Sequence, residues 1–335
     1  MRRILGRVVG VGLSLALWLI SSPAQAALPA RAAPVSLWSY AWGLAAVEDL
    51  ARLPGGRTWR AEIPHLVAGL APYWDAGAPT PAYAPYPDPT PETVKFYDDN
   101  AWVGLDLVTA WQLTHRPQYL QRAEALFRYE ETGWDPHGGG LFWNDRHLLR
   151  NTAANAPAAE LAAELYSVTR RPQYLRWAMR LKAWEQRHLV NPKTGAVWDH
   201  LGRGATVDRH LLSYNQGAVI GADCALYRAT HERAYLEAAA KTAAFVAHHW
   251  TAFDGHRPLA TAFAGVLADD LVWLWRLGHV PAARLALEQL SPPTAALPGR
   301  WANPVLLAAS GRIRLVADQA AVSAPPPPPD RSPAP

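Results

Sequence analysis

A helix-turn-helix pattern recurs along the middle of the chain. Apolar residues spaced three and four positions apart form stripes on both sides of a short polar turn, as amphipathic helices require. The turn carries a small or β-branched residue, a basic residue and then Tyr-Leu. Its copies lie at 113–120, 168–175 and 229–236, with a fainter copy at 274–279. Each copy predicts one antiparallel pair of helices.

The spacing of these turns predicts the architecture. The copies are 55 and 61 residues apart, so a chain of this length holds five or six helix pairs. A single pair cannot bury its apolar face alone. An open superhelix and a closed toroid both satisfy that requirement. The unequal spacings and the long Trp- and Gly-rich links favour the toroid, because variable loops at one rim are where such a barrel carries a site. We predict an all-α barrel of six helical hairpins over residues 27–317.

The two ends of the chain differ from this pattern. Residues 1–26 combine an arginine-rich start, an apolar run at 8–20 and the triplet Ala24-Gln25-Ala26. These features predict a secretory signal peptide, and the apolar run is too short to span a bilayer comfortably. Residues 318–335 are rich in proline and lack apolar periodicity, so we predict a solvated, disordered tail.

Charge and cysteine content narrow the range of partners. Removing residues 1–26 takes away three arginines and no acids, so the formal net charge falls from +4 to +1. We therefore predict no nucleic-acid partner, and no membrane span once the signal is cleaved. The lone Cys224 cannot form an internal disulfide, and we expect it to be buried. We expect a monomer that is secreted or retained in the cell envelope.

Metal-binding patterns find little support in the sequence. His248, His249 and His256 lack the spacings of a zinc site, and no calcium-binding loop is present. We predict a protein that needs neither a metal nor another cofactor.

Two adjacent acids, Asp98 and Asp99, stand where a polar turn gives way to a helical pattern. Aromatic residues flank them in Phe96-Tyr97-Asp98-Asp99-Asn100-Ala101-Trp102. Helix capping is one interpretation, because Asp and Asn are preferred N-caps. Capping uses one side chain, however, and a like-charge neighbour raises one carboxyl pKa while helix N–H groups keep the other ionised. This arrangement supplies the acid and the nucleophile that glycosidic hydrolysis needs.

A second pair, Asp269-Asp270, serves as an internal control. It lies inside an apolar run and has no preceding Phe-Tyr, so we interpret it as structural.

Polar groups beside aromatic residues recur at the predicted starts of later helices. The 16 tryptophans of the chain support a carbohydrate ligand, because a flat ring with one N–H matches the apolar face and hydroxyl edge of a sugar. We interpret the glycines at 138–140 as allowing a ligand to approach Trp143, since the sequence lacks the remaining signals of a phosphate-binding loop. The predicted substrate-binding residues are Tyr97, Trp102, Trp143, Asn155, Asp199, Tyr214, Asn215 and Gln216.

Taken together, these motifs resemble glycoside hydrolase family 76, the retaining endo-α-1,6-mannanases and their transglycosylase-like relatives of fungal walls. The resemblance runs from about Trp38 to Gly278. Its motifs, in chain order, are Tyr97-Asp98-Asp99-Asn100-Ala101-Trp102, Gly138-Gly139-Gly140 with Trp143, Asn155, and Tyr214-Asn215-Gln216-Gly217.

The resemblance implies an (α/α)6 barrel and a mannan-like polysaccharide or oligosaccharide substrate. It also implies Asp98 as nucleophile and Asp99 as general acid/base, with Asp199 lining the cleft. One departure from the family pattern lies at residues 263–269. Where family members often carry Phe-Lys-Gly followed by Arg, this chain has Ala264 and Asp269, so two cations are missing. That departure bears on the substrate and leaves the catalytic pair intact.

Three other functions stay open at the level of sequence. A transglycosylase would use the same glycosyl-enzyme with a sugar acceptor in place of water. A non-catalytic carbohydrate-binding protein could retain the scaffold, although the Asp pair argues against it. A sugar epimerase of similar shape would need histidine bases, for which His137, His200 and His210 are the candidates.

Overall fold

The structure, a computed structural model, describes residues 34–53, 55–249 and 258–290. The predicted signal peptide and tail lie outside these residues. Ten α-helices are present in the described part: α1 Leu37–Arg52, α2 Arg57–Ala68, α3 Tyr97–Thr114, α4 Pro117–Thr132, α5 Thr152–Thr169, α6 Pro172–His188, α7 Ser213–Thr230, α8 Arg233–His249, α9 Pro258–Gly278 and α10 Pro281–Gln289.

The helices form five consecutive hairpins, each an odd-numbered helix followed by an even-numbered one. Neighbouring odd-numbered helices pack side by side, and each even-numbered helix covers its partner. The odd-numbered helices are the inner layer: every residue of α5 from Thr152 to Leu165 is buried. Trp38 at the start of α1 lies edge-on to Phe263 of α9 at 5.8 Å, so the inner layer curves round on itself. A sixth hairpin would require residues outside the described ranges.

The predicted repeat turns are confirmed, and their chemistry is shared. The last threonine of α3, Thr114, donates from Oγ1 to the carbonyl four residues earlier, and Thr169 and Thr230 do the same in α5 and α7. The next residue then adopts a left-handed conformation and returns its N–H to the helix, as in His115 with φ 56°. Proline or arginine begins the following outer helix two or three residues later. This local chemistry explains why the turns are recognisable in the sequence.

Short strands tie together the loops that lead into the inner helices. β1 (Trp74–Asp75) pairs antiparallel with β2 (Ala82–Tyr83). β3 (Arg150–Asn151), β4 (His200–Leu201) and β5 (Val207–Asp208) form a three-stranded antiparallel sheet. The loops holding these strands gather at the N-terminal ends of α3, α5 and α7, and form the rim described below.

The interior of the inner layer also holds charged groups. A cavity of about 300 Å³ lies among the inner helices and is lined by groups such as Asp106, Glu164 and Asp269. Asp270, the other member of the second Asp pair, is buried beside Gly217 and Gly221 of α7. Ala264 packs within the apolar cluster around α9. Among the described residues, no helix has the length and hydropathy needed to cross a membrane.

Candidate active site

The Asp pair occupies the first turn of α3, directly under the rim. The helix is capped by the backbone of Phe96, and no side chain caps it. Capping therefore does not explain the two acids. Tyr97 is buried and donates its backbone N–H to the carbonyl of Trp143 at 3.0 Å. The loop that precedes β3 is thus fixed to the first turn of α3.

Asp98 accepts two hydrogen bonds. The indole Nε1–H of Trp143 donates to one carboxyl oxygen at 2.9 Å, and the backbone N–H of Asp99 donates to the other at 3.0 Å. Both bonds favour the ionised carboxylate, as does its place at the positive end of a helix. Burial works against them and raises the pKa of Asp98 to about 6. Asp98 is therefore the more readily ionised member of the pair.

Asp99 has the opposite environment. Burial, followed by the charge of Asp98, raises the pKa of Asp99 well above its usual range. Two adjacent carboxyls in different protonation states result, one able to attack and one able to donate a proton.

A third carboxyl, Glu130, lies behind the pair. Glu130 lies in the last turn of α4 and is 1% exposed, and burial, followed by the charge of Asp98, raises its pKa well above the usual range. Next to it Tyr129 stacks on Tyr97, with ring centroids 4.7 Å apart. Sequence reasoning missed Glu130, because a glutamate near the end of an outer helix normally lies in solvent.

The wall facing the Asp pair is aromatic. Trp102, one turn into α3, packs in a cluster with Trp38, Trp42 and Tyr214. Burial raises the pKa of the Tyr214 hydroxyl, and the charges of Asp98 and then Asp199 raise it further. Tyr214 therefore lies within electrostatic reach of both acids, and its ring packs on Phe263 at 4.4 Å.

Asp199 is held on the far side of Tyr214. Its two carboxyl oxygens contact Asn215 Nδ2 at 3.1 Å and His200 Nδ1 at 2.9 Å. Asp199, His200 and Asp208 place potential metal-ligand atoms within 4.8 Å of one another. The protein donors already occupy Asp199, so we interpret the cluster as a hydrogen-bonded one. Our expectation that the chemistry needs no metal stays a prediction.

Asn155 and Gln216 lie deeper than we predicted. Both are fully buried, and their carboxamides bind backbone groups of the rim loops at Leu141 and Val197. These contacts favour a role in holding loops over direct contact with a ligand. Asn215 is also buried, but it reaches the cleft through Asp199.

The glycines at 138–140 also have a different role from the one we predicted. Gly139 and Gly140 adopt positive φ angles of 70° and 80°. A Cβ at Gly139 would approach the ring of Trp184 to 2.8 Å. The glycines therefore allow close approach to a buried tryptophan of α6. Trp143, 36% exposed, lies three residues after Gly140 and contacts Asp98.

Asn100 is the second residue that sequence reasoning missed as part of the site. It is fully buried directly after the Asp pair and binds the backbone of Tyr83. A signal was available: Asn100, Asn155 and Gln216 each stand 14 residues before the threonine that ends their helix.

The sequence model described as glycosyl hydrolase family 76 matches residues 23–260. The chain belongs to this family. A curated relative, the mannan endo-1,6-alpha-mannosidase DCW1 of Candida glabrata, is 30% identical over 166 residues, which cover 43% of this chain and 37% of the relative. The chain thus spans little more than a third of that relative.

Solved structures of family 76 share the fold. An alpha-mannanase of Bacteroides thetaiotaomicron aligns with a TM-score of 0.73 at 20% identity, covering 86% of this chain and 87% of the other. An inactive variant of the alpha-1,6-mannanase of Salegentibacter, in complex with alpha-1,6-mannotriose, aligns with a TM-score of 0.68 at 22% identity, covering 85% and 93%. The predicted all-α fold and the (α/α)6-barrel class of this family 76 protein are confirmed.

Proposed function

We propose that this family 76 protein is a secreted, retaining glycoside hydrolase that cleaves α-1,6-mannosidic linkages within mannan-like chains. The observation that carries the proposal is the asymmetry of the Asp pair. Asp98 receives two hydrogen bonds and ionises first, while burial and the neighbouring charge keep Asp99 protonated.

The first step follows from that asymmetry. A carboxylate oxygen of Asp98 attacks the anomeric carbon as the bond from that carbon to the leaving oxygen breaks. Asp99 gives its proton to the leaving oxygen, so the shortened chain departs as an alcohol. The product on the protein is a mannosyl ester of Asp98, and the negative charge has moved to Asp99.

The second step reverses these roles. Asp99 takes a proton from water, the water oxygen bonds to the anomeric carbon, and the ester bond to Asp98 breaks. Two inversions return the sugar to its starting configuration. Neighbouring residues have Cα atoms about 3.8 Å apart, and retaining enzymes hold their carboxyls about 5 to 5.5 Å apart. Adjacent acids suit that separation.

The groups around the pair suit a sugar. Trp143 and Trp102 offer aromatic faces next to the acids, and Tyr214 lies between Asp98 and Asp199. Asp199, with both oxygens anchored by protein donors, presents a fixed acceptor for sugar hydroxyls. We propose Tyr97 and Asn215 as residues that hold these groups in place.

The relatives support the choice of substrate. The curated ones are named mannan endo-1,6-alpha-mannosidases. The Salegentibacter structures are of variants with two successive aspartates replaced, described as inactive, in complexes with alpha-1,6-mannotriose and alpha-1,6-mannotetrose. Since this chain covers only part of the curated relatives, the substrate and the linkage are proposals for it.

Residues 1–26 support export, and a polysaccharide substrate suits a protein that works outside the membrane or in the envelope. We propose that the exported chain acts as a monomer, without nucleic-acid partners.

The test is incubation of the exported protein with α-1,6-mannan, followed by proton NMR of the first products. We expect shorter oligosaccharides whose new reducing ends appear first as the α-anomer. A β-anomer appearing first would overturn the retaining mechanism. Intact mannan together with mannotriose binding would overturn hydrolysis and favour a carbohydrate-binding protein.

A further inference from the structure

Three inner helices carry a carboxamide at the same place, and it makes the same contacts in each. Asn100 of α3, Asn155 of α5 and Gln216 of α7 all lie in the first turn of their helix and are fully buried. We call these three side chains the carboxamide clamps.

Each clamp holds a rim loop by both backbone groups of one residue. The side chain of Asn100 accepts from the N–H of Tyr83 at 2.8 Å and donates to its carbonyl at 3.0 Å. The corresponding distances are 2.7 and 2.9 Å for Asn155 at Leu141. They are 2.9 and 2.8 Å for Gln216 at Val197.

Each clamp also binds its own helix. The amide donates a further hydrogen bond to the carbonyl four residues earlier: Asn100 to Phe96 at 2.8 Å, Asn155 to Asn151 at 2.8 Å and Gln216 to Leu212 at 3.2 Å. One carboxamide therefore joins a loop to the residue just before the first turn.

What differs between the clamps is what lies beside them. The two residues before Asn100 are Asp98 and Asp99, whereas those before Asn155 are Ala153 and Ala154. Phe96, which the Asn100 clamp holds, forms a bridge to Asn144, next to the Trp143 that donates to Asp98. The loop that it holds continues to Pro85, whose carbonyl accepts from the first N–H of α1.

We propose that Asn100 is a positioning residue for the catalytic pair. It fixes the backbone at Phe96 on one side and the rim loop at Tyr83 on the other. The backbone of Asp98 and Asp99 can therefore stay in place while their carboxyl groups form and break bonds during the reaction. This inference rests on the proposed function. Asn155 makes equivalent contacts beside two alanines and holds Leu141, in the loop that carries Trp143, so it reaches the pair indirectly, through Trp143.

The experiment compares Asn100→Ala with its matched control, Asn155→Ala. Each variant removes the same hydrogen bonds from an equally buried position, so we expect similar decreases in Tm. Misplacement of reacting groups by about 1 Å can cost about 10²-fold, and we expect a decrease of that size in kcat on α-1,6-mannooligosaccharides for Asn100→Ala. For Asn155→Ala, which acts on Asp98 through Trp143 alone, we expect a smaller decrease, about tenfold or less, with KM little altered in both.

A conservative variant keeps the test informative if Asn100→Ala fails to fold. Gln216 shows that a glutamine at this position makes all three contacts. We therefore expect Asn100→Gln to restore both Tm and most of kcat. Equal decreases in kcat for Asn100→Ala and Asn155→Ala, or a folded Asn100→Gln that lacks activity, would overturn the proposal.

A substrate-independent measurement separates this proposal from the proposed function. NMR titration of labelled aspartate carboxyls should show both Asp98 and Asp99 titrating at clearly changed pH in Asn100→Ala, and a smaller change, confined to Asp98, in Asn155→Ala. If the wild-type protein left mannan intact, the proposed function would fail, and the titration would still decide whether Asn100 positions the pair. Identical titration curves in the two variants would contradict the positioning role of Asn100.

Discussion

Among the described residues, carboxyl groups with raised pKa values occur at the rim and between two helices, with different consequences. At the rim, Asp98 and Asp99 are half-buried in the first turn of α3. Between α6 and α7, Glu185 and Asp223 are almost fully buried around Lys182, whose Nζ lies 2.9 Å from Asp223 and 3.7 Å from Glu185. We call these last three residues the lysine cluster.

Burial is the largest cause of the raised pKa in both regions, and it raises that of Glu185 to about 7 and that of Asp223 to about 6. The two regions differ in whether a ligand can reach the carboxyl groups and in which groups contact the carboxylates. The lysine cluster is sealed, and its cation offsets the acids. The rim pair faces a cleft lined by aromatic rings, and its partners are the neutral N–H donors of Trp143 and Asp99. A raised carboxyl pKa therefore indicates burial, and access to a ligand is what makes a candidate catalytic site.

The sharpest way to separate the two regions is to remove the rim acids. Asp98→Asn or Asp99→Asn should lower kcat by roughly 10³-fold or more, equivalent to about 4 kcal/mol. Stability at pH 7 should stay equal or rise, because each change replaces a poorly solvated acid by a neutral group. Turnover on α-1,6-mannan and thermal unfolding measure the two effects. Asp269→Asn is the control, and equal activity losses at positions 98 and 269 would contradict the assignment.

Removing the cation of the lysine cluster should have the second largest effect, on stability alone. Loss of one partner from a buried ion pair costs about 3 to 5 kcal/mol, and we expect the lower value for Lys182→Met because Glu185 and Asp223 can take up protons. Urea unfolding at pH 8 measures this cost, with Lys193→Met, at an exposed position in the turn after α6, as the control. Unchanged stability for Lys182→Met would show that the cluster is not sealed.

Glu185→Gln tests the pH dependence of the same cluster. The pKa of Glu185 is raised in the folded state, so its stabilising protonated form is present at low pH and is lost as pH rises through about 7. A glutamine side chain does not titrate. Between pH 5 and pH 8, the free energy of unfolding of the variant should therefore rise by about 1 to 3 kcal/mol relative to that of the wild type.

Free energies of unfolding at the two pH values provide the measurement, and Glu237→Gln on the exposed face of α8 is the control. A difference between Glu185→Gln and the wild type that is independent of pH would contradict the raised pKa.

The same contrast shows what the sequence could predict. The hairpins were predictable because their turns repeat a local signal: a threonine, a basic residue such as His115 and, in two of the three copies, a proline. The Asp pair could be proposed as a site because adjacent acids beside aromatic rings are unusual over a few residues, and its role stays a proposal. Both are local patterns, and the structure confirms the hairpins.

Features that join distant residues were not predictable. Lys182 and Asp223 lie on different helices, and neither stands out in an amphipathic pattern. The two-residue strands at the rim are too short to show alternation. The contact of Trp143 with Asp98 and those of Asn155 and Gln216 with loops depend on how hairpins are placed side by side, which periodicity does not specify.

The smallest expected effect concerns the hydrogen bond between Trp143 and Asp98. Trp143→Phe keeps an aromatic face and removes the indole N–H that donates at 2.9 Å. Loss of a donor disfavours the ionised carboxylate, so the pKa of Asp98 should rise above its present value of about 6. Because the nucleophile must be ionised, the acidic limb of the kcat profile should move to higher pH. At pH 6 we expect turnover to fall about tenfold, equivalent to about 1.4 kcal/mol, and to recover partly at pH 8.

Trp198→Phe, in the loop before Asp199, is the matched control for Trp143→Phe. A uniform loss of activity at every pH would mean that Trp143 contributes only its ring to the site, and the distinction between Asp98 and Asp99 would then depend on burial and on their mutual repulsion alone.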